Sequence, residues 1–385
     1  MYDGWEPLRD ENDPKREKML GKGGQGEVYL ARSPEQRMKR KNAEQLARHQ
    51  LVQVGGGQWE IGELAKHLMT AASPDPVDTL GALKKFIIPS ENKEEEAKAI
   101  GRLESEVAAL TALKDQSGIL KLLHANVTDR FIVTEFHPRG TLNQHLNLYK
   151  GDALKALEAF RPLVDAVRRI HDMGAIHRDI KTENIFVTVS GSLVLGDFGI
   201  VFLQDGSERL TTTYERVGSR YWIAPWADRH ARLELSKINP ALDIFPLAKV
   251  LWSMIAGQNG FPYWEYDLDE NNLEKLFPRD PFMSLINKRI LSKRIVRHDQ
   301  DCDGSANTLS MQVDGLINYI QDIQGYRPAG AEVWPCRICG RGIYKSVGPR
   351  YQLKGFREGG PVNEQEKKLL VSICDYCGHA ELFAN

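Results

Sequence analysis

The run His177-Arg178-Asp179-Ile180-Lys181-Thr182-Glu183-Asn184, followed by Asp197-Phe198-Gly199, places a candidate base and two candidate magnesium ligands within 21 positions, 177 through 197. A positioned aspartate such as Asp179 can take a proton from a hydroxyl. The side-chain oxygens of Asn184 and Asp197 are hard donors of the kind magnesium prefers. Upstream lies Gly21-Lys22-Gly23-Gly24-Gln25-Gly26-Glu27-Val28. Glycines there permit a tight turn and a close approach of backbone to phosphate. A strand rather than a helix follows, which disfavours a dinucleotide fingerprint, and the absence of Gly-Lys-Ser/Thr excludes a Walker loop.

A second constellation is the pair Cys336-x-x-Cys339 and Cys374-x-x-Cys377, with 34 residues between them. Each pair can form a turn that offers two thiolates, and two such turns complete a tetrahedral site. The expectation is a structural Zn2+ held by Cys336, Cys339, Cys374 and Cys377, with a disulfide or redox pair as the competing reading. Cys336-Arg337-Ile338-Cys339-Gly340 and Cys374-Asp375-Tyr376-Cys377-Gly378 resemble zinc-ribbon knuckles. Such ribbons bind protein or nucleic acid, and Arg337, Tyr344, Lys345 and Tyr351 form a basic, aromatic stretch that Glu358, Glu364 and Glu366 dilute. The fifth cysteine, Cys302, reads as a free thiol.

These groups need elements to position them. Residues 17–31 alternate around the glycines as a hairpin does. Residues 33–78 continue it poorly. They carry the basic run Arg37-Met38-Lys39-Arg40-Lys41, the triplet Gly55-Gly56-Gly57 and a helical pattern over Glu63–Met69, and so read as an insertion. Residues 79–88 read as a strand, 91–114 as a helix and 119–136 as two strands. From Gly140 onward the pattern is mainly helical, with a long amphipathic helix over 154–173, an apolar helix over 243–256, and further candidates at 271–277, 282–297 and 309–324. The basic residues Lys288, Arg289, Lys293, Arg294 and Arg297 read as a solvated face.

The glycine run, the segment around Asp179 and the Asp197-Phe198-Gly199 triplet together resemble the eukaryotic-like Ser/Thr protein-kinase family over about residues 17–324. The resemblance implies an α+β, bilobal fold, to which the cysteines add a small zinc-ribbon domain. The expected layout is an N-terminal extension (1–16), a small lobe (17–136) with the insertion 33–78, a large lobe (137–324), a linker (325–332) and the ribbon module (333–385). The resemblance further implies ATP bound by Gly21, Gly23, Gly26, Val28, Ala82, Lys84 and the hinge residue Glu135. It implies Mg2+, with Mn2+ as a substitute, on Asn184 and Asp197. Lys84, in Gly81-Ala82-Leu83-Lys84, would meet the phosphates and pair with Glu106, with Glu104 as a rival. Its neighbour Lys85 falls on the opposite face of the strand.

In that family Asp179 would be the base and Lys181 would neutralise charge on the transferring phosphate, as is typical of Ser/Thr kinases. His177 would pack, Arg178 would meet a phosphorylated activation segment, and Thr134 would sit beside the adenine. The segment 207–219, with Thr211, Thr212 and Thr213, is the expected site of phosphorylation. The chain departs from the family at Trp226, where a Glu that pairs with a buried Arg is usual, and at Pro246 and Ala248 in Asp243-Ile244-Phe245-Pro246-Leu247-Ala248.

The 385 residues, 42% hydrophobic, suffice for more than one domain. Lys plus Arg total 51 and Asp plus Glu 52, so no whole-chain field points to nucleic acid or anionic membrane. The first residues lack a basic lead and an apolar core, and no long apolar run occurs, so neither a signal peptide nor a membrane span is expected. Five cysteines suit a reducing compartment, cytoplasmic or, in a eukaryote, nuclear. The function expected is transfer of a phosphoryl group from Mg-ATP to a protein substrate, with an upstream kinase or a second copy acting in trans as activator. The competing readings are a scaffold whose ribbon binds protein or nucleic acid, and a kinase of small molecules.

Overall fold

The computed structural model describes residues 2–23, 26–49, 51–54, 58–61, 75–87, 93–114, 116–198, 202–203, 221–228, 239–325, 344–346, 351–352, 368–374 and 380–384. The chain divides into two compact units, one of residues 1–144, 162–218 and 230–243, the other of residues 145–161, 219–229 and 244–385.

The first unit is built on a six-stranded antiparallel sheet. Its strands are β1 (Glu6–Pro7), β2 (Met19–Gly23), β3 (Gly26–Arg32), β6 (Leu80–Phe86), β7 (Leu122–Asn126) and β8 (Phe131–Glu135), after the separate hairpin β4 (Leu51–Val54) and β5 (Gln58–Ile61). The order is β1-β3-β6-β8-β7, with β2 also on β3. Phe131, Ile132 and Val133 are buried in succession, as a central strand covered on both faces requires. At the β2–β3 turn a side chain at Gly26 would collide with the Lys85 carbonyl, so only glycine lets β3 approach β6 there.

Helix α1 (Pro34–His49) occupies the segment that the sequence marks as an insertion, and it includes the basic run. The Ser33 hydroxyl accepts from the Gln36 amide at 3.3 Å, and Pro34 stands at the first helical position. Farther along the same segment, Asp75 is fastened by Arg32 and Arg40 at 2.8 Å each. The helical pattern expected at Glu63–Met69 lies outside the described residues. Helix α2 (Lys93–Ala112) turns Leu103, Glu106 and Leu110 inward at helical spacing.

Helix α3 (Ala153–Asp172) contributes to both units and carries an apolar stripe of Leu157, Phe160, Val164, Val167 and Ile170, all fully buried. Two short antiparallel pairs follow in the first unit, β10 (Ile185–Val187) with β11 (Leu193–Leu195), and β9 (Ala175–Ile176) with β12 (Phe202–Leu203).

Helix α4 (Ala241–Ala256) is buried along its whole length; its first three residues belong to the first unit and the rest to the second. Helix α5 (Ala306–Gly325) packs Leu309, Val313, Leu316 and Ile320 inward. Between them a π-helical turn, Asn287–Leu291, interrupts the helical segment. Lys288, Arg289, Lys293 and Arg297 are exposed as expected of a solvated face, but Arg294 is fully buried. Its guanidinium donates to Asp303 at 3.1 Å and to the Arg289 and Ile290 carbonyls at 3.3 Å each. Cys302 is a free thiol, and burial pushes it up to about 12.

The structure does not bear out the zinc expectation. A tetrahedral site needs four converging donors, and among the described residues no group of three or more His, Cys, Asp or Glu side chains is arranged to hold a metal ion. The described part of this segment is instead a four-stranded antiparallel sheet of β13 (Tyr344–Ser346), β14 (Tyr351–Gln352), β15 (Lys368–Cys374) and β16 (Ala380–Ala384). Cys374 is the last residue of β15, in register with Tyr344 of β13, while Cys336, Cys339 and Cys377 lie outside the described residues. The described residues therefore form neither the expected zinc-ribbon module nor a Zn2+ site. No helix among the described residues is long and apolar enough to cross a membrane.

Lys249 supplies a test of the buried α4. Its ammonium donates to the Phe261 carbonyl at 2.7 Å and the Tyr263 carbonyl at 2.9 Å and lies 4.5 Å from the Phe261 ring centre. Burial pushes its pKa down to about 7, against the pull of Glu265. The unfolded chain keeps this proton up to about pH 10.4, so it binds more protons than the fold between these values and stability rises with pH across that window. Thermal unfolding of wild type and Lys249→Met at about pH 6.5 and about pH 9 should show wild type gaining on the variant at the higher pH, by at most about 1.4 kcal/mol per pH unit.

Candidate active site

Strand β6 fixes Lys84 between two neighbours, opposite Val28 of β3 and Ile132 of β8. Alternation along the strand sends Lys84 and Lys85 to opposite faces. Lys85 meets Glu17 at 2.6 Å, and its ammonium lies 4.2 Å from the Tyr29 ring centre. Lys84 meets both oxygens of Glu106, at 2.8 and 3.1 Å, and Asp197 at 3.4 Å. Glu104, the rival partner, is exposed.

Burial opposes the Lys84 charge, but the Glu106 and Asp197 carboxylates overcome it and hold the ammonium above its usual range. Burial pushes the Glu106 carboxyl up while Lys84 pulls it down. We take the pair as ionised, because one ammonium donates to both carboxylate oxygens. Asp197 is held below the usual carboxylate range: burial raises it, but the charges of Lys84 and Lys181 lower it by more.

The turn carrying Asp179 is a hydrogen-bonded knot. Lys181 reaches the Asp179 carboxylate at 2.5 Å. Asn184, from a 3-10 turn over Thr182–Asn184, donates to the same carboxylate at 2.8 Å and to the Asp179 carbonyl at 2.9 Å. His177 is buried and structural. Its Nδ1 accepts from the Asp179 amide at 3.3 Å, its Nε2 donates to the Gly196 carbonyl at 3.1 Å, and its ring meets Phe198 edge-on at 4.8 Å.

Beneath this turn lies Asp243, fully buried. It accepts the His177 and Arg178 amides at 2.8 and 2.7 Å and the His171 Nε2 proton at 2.9 Å. Burial raises its pKa, but the His171 hydrogen bond and the Arg178 amide bring it below the usual range. Arg178 and Asp197 both have positive φ, 69° and 63°, a conformation that costs an ordinary L-residue energy and persists only when its surroundings enforce it. Asp243 supplies that enforcement for Arg178. The part played by His171 was not read from the sequence. Its position six residues before His177 carries no signal until the fold brings Asp243 against it.

The remaining residues fall on the same sheet. Ala82 stands opposite Thr134, and Thr134 is buried. The Glu135 carboxylate accepts the Lys121 amide at 3.1 Å and lies 3.3 Å from His137. Gly21 and Gly23 face open space on the side a Cβ would take, so the protein's own packing does not demand glycine there, in contrast to Gly26. The activation-segment residues 207–219 lie outside the described residues. In the second unit Trp226 meets Phe245 edge-on at 5.4 Å. The buried Arg294 of that unit pairs with Asp303.

Residues 75–312 match the family model of the protein kinase domain. The chain is 29% identical over 189 residues to the serine/threonine-protein kinase Nek1 of Mus musculus, covering 43% of this chain and 16% of that protein. It is 29% identical over 252 residues to the serine/threonine-protein kinase PKZ1 of Phytophthora infestans, covering 58% and 57%. It is 28% identical over 186 residues to the probable serine/threonine-protein kinase PknB of Lactococcus lactis, covering 48% and 28%. The chain thus spans less than two thirds of the length of each of these relatives.

Replacing Asp243 tests the knot. Asp243→Ala strands two buried amides and His171, and should lower stability by about 3–5 kcal/mol in urea unfolding. Asp243→Asn, which keeps an acceptor oxygen, should cost less.

Proposed function

We propose that this chain, which belongs to the protein kinase domain family, transfers the γ-phosphoryl group of Mg-ATP to serine or threonine hydroxyls of protein substrates. The observation that carries this reading is the Lys84 ammonium held between the Glu106 and Asp197 carboxylates, on the same unit as the Asp179–Lys181–Asn184 knot.

Each residue then has a task that its chemistry suits. Lys84, kept charged, binds phosphate oxygens of the nucleotide, and Glu106 holds it extended for that purpose. Gly21 and Gly23, with open space beside them, leave room for a phosphate against the backbone of the turn. Asn184 donates its amide hydrogens to Asp179, which leaves its carbonyl oxygen, with the Asp197 carboxylate, for Mg2+. The bound cation supplies charge neutralisation at the phosphates. In the transfer, the substrate hydroxyl oxygen forms a bond to the γ-phosphorus as the bond from that phosphorus to the β,γ-bridging oxygen breaks, and the hydroxyl proton passes to Asp179. Lys181, already on Asp179, offsets the negative charge of the moving group. Arg178 is the residue we assign to a phosphorylated threonine among Thr211–Thr213, added by an upstream kinase or by a second copy.

Asp179→Ala should reduce transfer of labelled γ-phosphate to generic Ser/Thr substrates by about 10²–10⁴-fold, the usual contribution of a positioned base. Transfer at the wild-type rate would sink the assignment. Peptide mass spectrometry of active protein should find phosphate within 207–219. Full activity with none there would remove the activation-segment role.

A further inference from the structure

The sequence segment before the glycine turn has no assigned role, yet it crosses the whole outer face of the sheet. Its strand β1 pairs with β3, Glu6 with Arg32 and Pro7 with Ala31. At the opposite edge Asp3 accepts hydrogen bonds from His124 and Asn126 of β7, at 2.8 Å each. Between these two fastenings Trp5 is buried in a cluster with Ala31, Leu83, Phe131 and Val133, and Tyr2 packs on its rim, edge-on to Phe131 at 5.2 Å. A Cβ on Gly81 would lie 2.8 Å from the Trp5 ring, so the glycine in β6 is what lets the indole settle against the strand.

Gly81 and Leu83 face the indole, and Lys84 leaves the same strand on the other side. Trp5 is thus the backing of the strand whose front carries the ammonium. Glu6 adds a link of its own: Arg32 bonds Glu6 and Asp75 together, both at 2.8 Å, so the strap and the end of the α1-containing segment are tied at one guanidinium.

We propose that residues 2–7 are a strap that sets strand β6 for nucleotide binding, with Trp5 as a positioning residue that acts through Leu83 and Gly81 on Lys84. This rests on the reading of Lys84 given above. Loss of the indole opens a cavity behind β6, and a strand free to sink into it moves Lys84 away from the phosphates.

The test uses the full chain as wild type, Trp5→Ala, Trp5→Phe, Asp3→Ala and Lys84→Met. An acyl-phosphate derivative of ATP, which transfers its acyl group to a lysine amine beside the bound phosphates, reads the placement of Lys84 directly by peptide mass spectrometry. Exposed Lys39 and Lys114 serve as internal controls. At a temperature where circular dichroism shows each variant folded, Trp5→Ala should lower both the Lys84 acylation rate and kcat for γ-phosphate transfer at least about fivefold, with the controls unchanged. Trp5→Phe should restore both to within about twofold, since a ring again fills the cluster. Asp3→Ala should move both in the same direction by about twofold.

A folded Trp5→Ala that acylates and transfers like wild type overturns the proposal. Should Trp5→Ala fail to fold, Asp3→Ala decides: a loss at Lys84 supports the strap, and wild-type behaviour overturns it. Lys84→Met separates the two readings. Wild-type transfer by that variant would overturn the site assignment and the strap's role with it, whereas its inactivity beside an unaffected Trp5→Ala would overturn the strap alone.

Discussion

A buried ammonium has to be matched by carboxylates or it loses its proton, and the arrangement of the first unit follows from that constraint at Lys84. Glu106 must come from a helix packed against the sheet, and Asp197 from the segment after β11. The β-sheet, α2 and the Asp197 turn are therefore tied through one nitrogen atom. A chain that misplaced any of them would leave a charge stranded in a site with little access to water, at a cost of several kcal/mol.

The second organising charge is Asp243. It lies in α4 but accepts backbone amides from the turn that carries Asp179, so a side chain does what regular secondary structure does elsewhere. That explains how the turn tolerates positive φ at Arg178. The strained backbone is held by a carboxylate that is itself held by His171. The catalytic assignments proposed for Asp179, Lys181 and Asn184 depend on this rigidity, since groups that act by position gain nothing from reaching the right place only part of the time.

Away from these charges, local contacts hold the chain. Trp226 meets Phe245 edge-on, and the buried Arg294 guanidinium pairs with Asp303 inside its own segment. The segment between Ser33 and Asp75 begins with a capped helix, and Asp75 at its far end pairs with Arg32 of the sheet and with Arg40 of the helix.

The local sequence determined the elements with strong periodicity and the residues with strong chemistry. The stripe of α3 and the apolar α4 were legible from spacing, and the Asp179 and Asp197 segments from residue type. Helix α1 was legible in principle, through Ser33-Pro34-Glu35, but the polar composition of its basic run masks any apolar stripe. Two CxxC pairs suggested a metal because spacing alone reports where thiols could converge. Only tertiary structure shows whether donors converge, and among the described residues none form such a group. Tertiary structure also decided between Glu104 and Glu106, faced Lys84 and Lys85 apart, buried Arg294 within a basic run, and brought His171 and Trp5 to positions their neighbours in sequence do not announce. The physical reason is the same in each case. Periodicity and residue type are local, whereas pairing a buried charge or filling a cavity depends on which distant segment arrives opposite it.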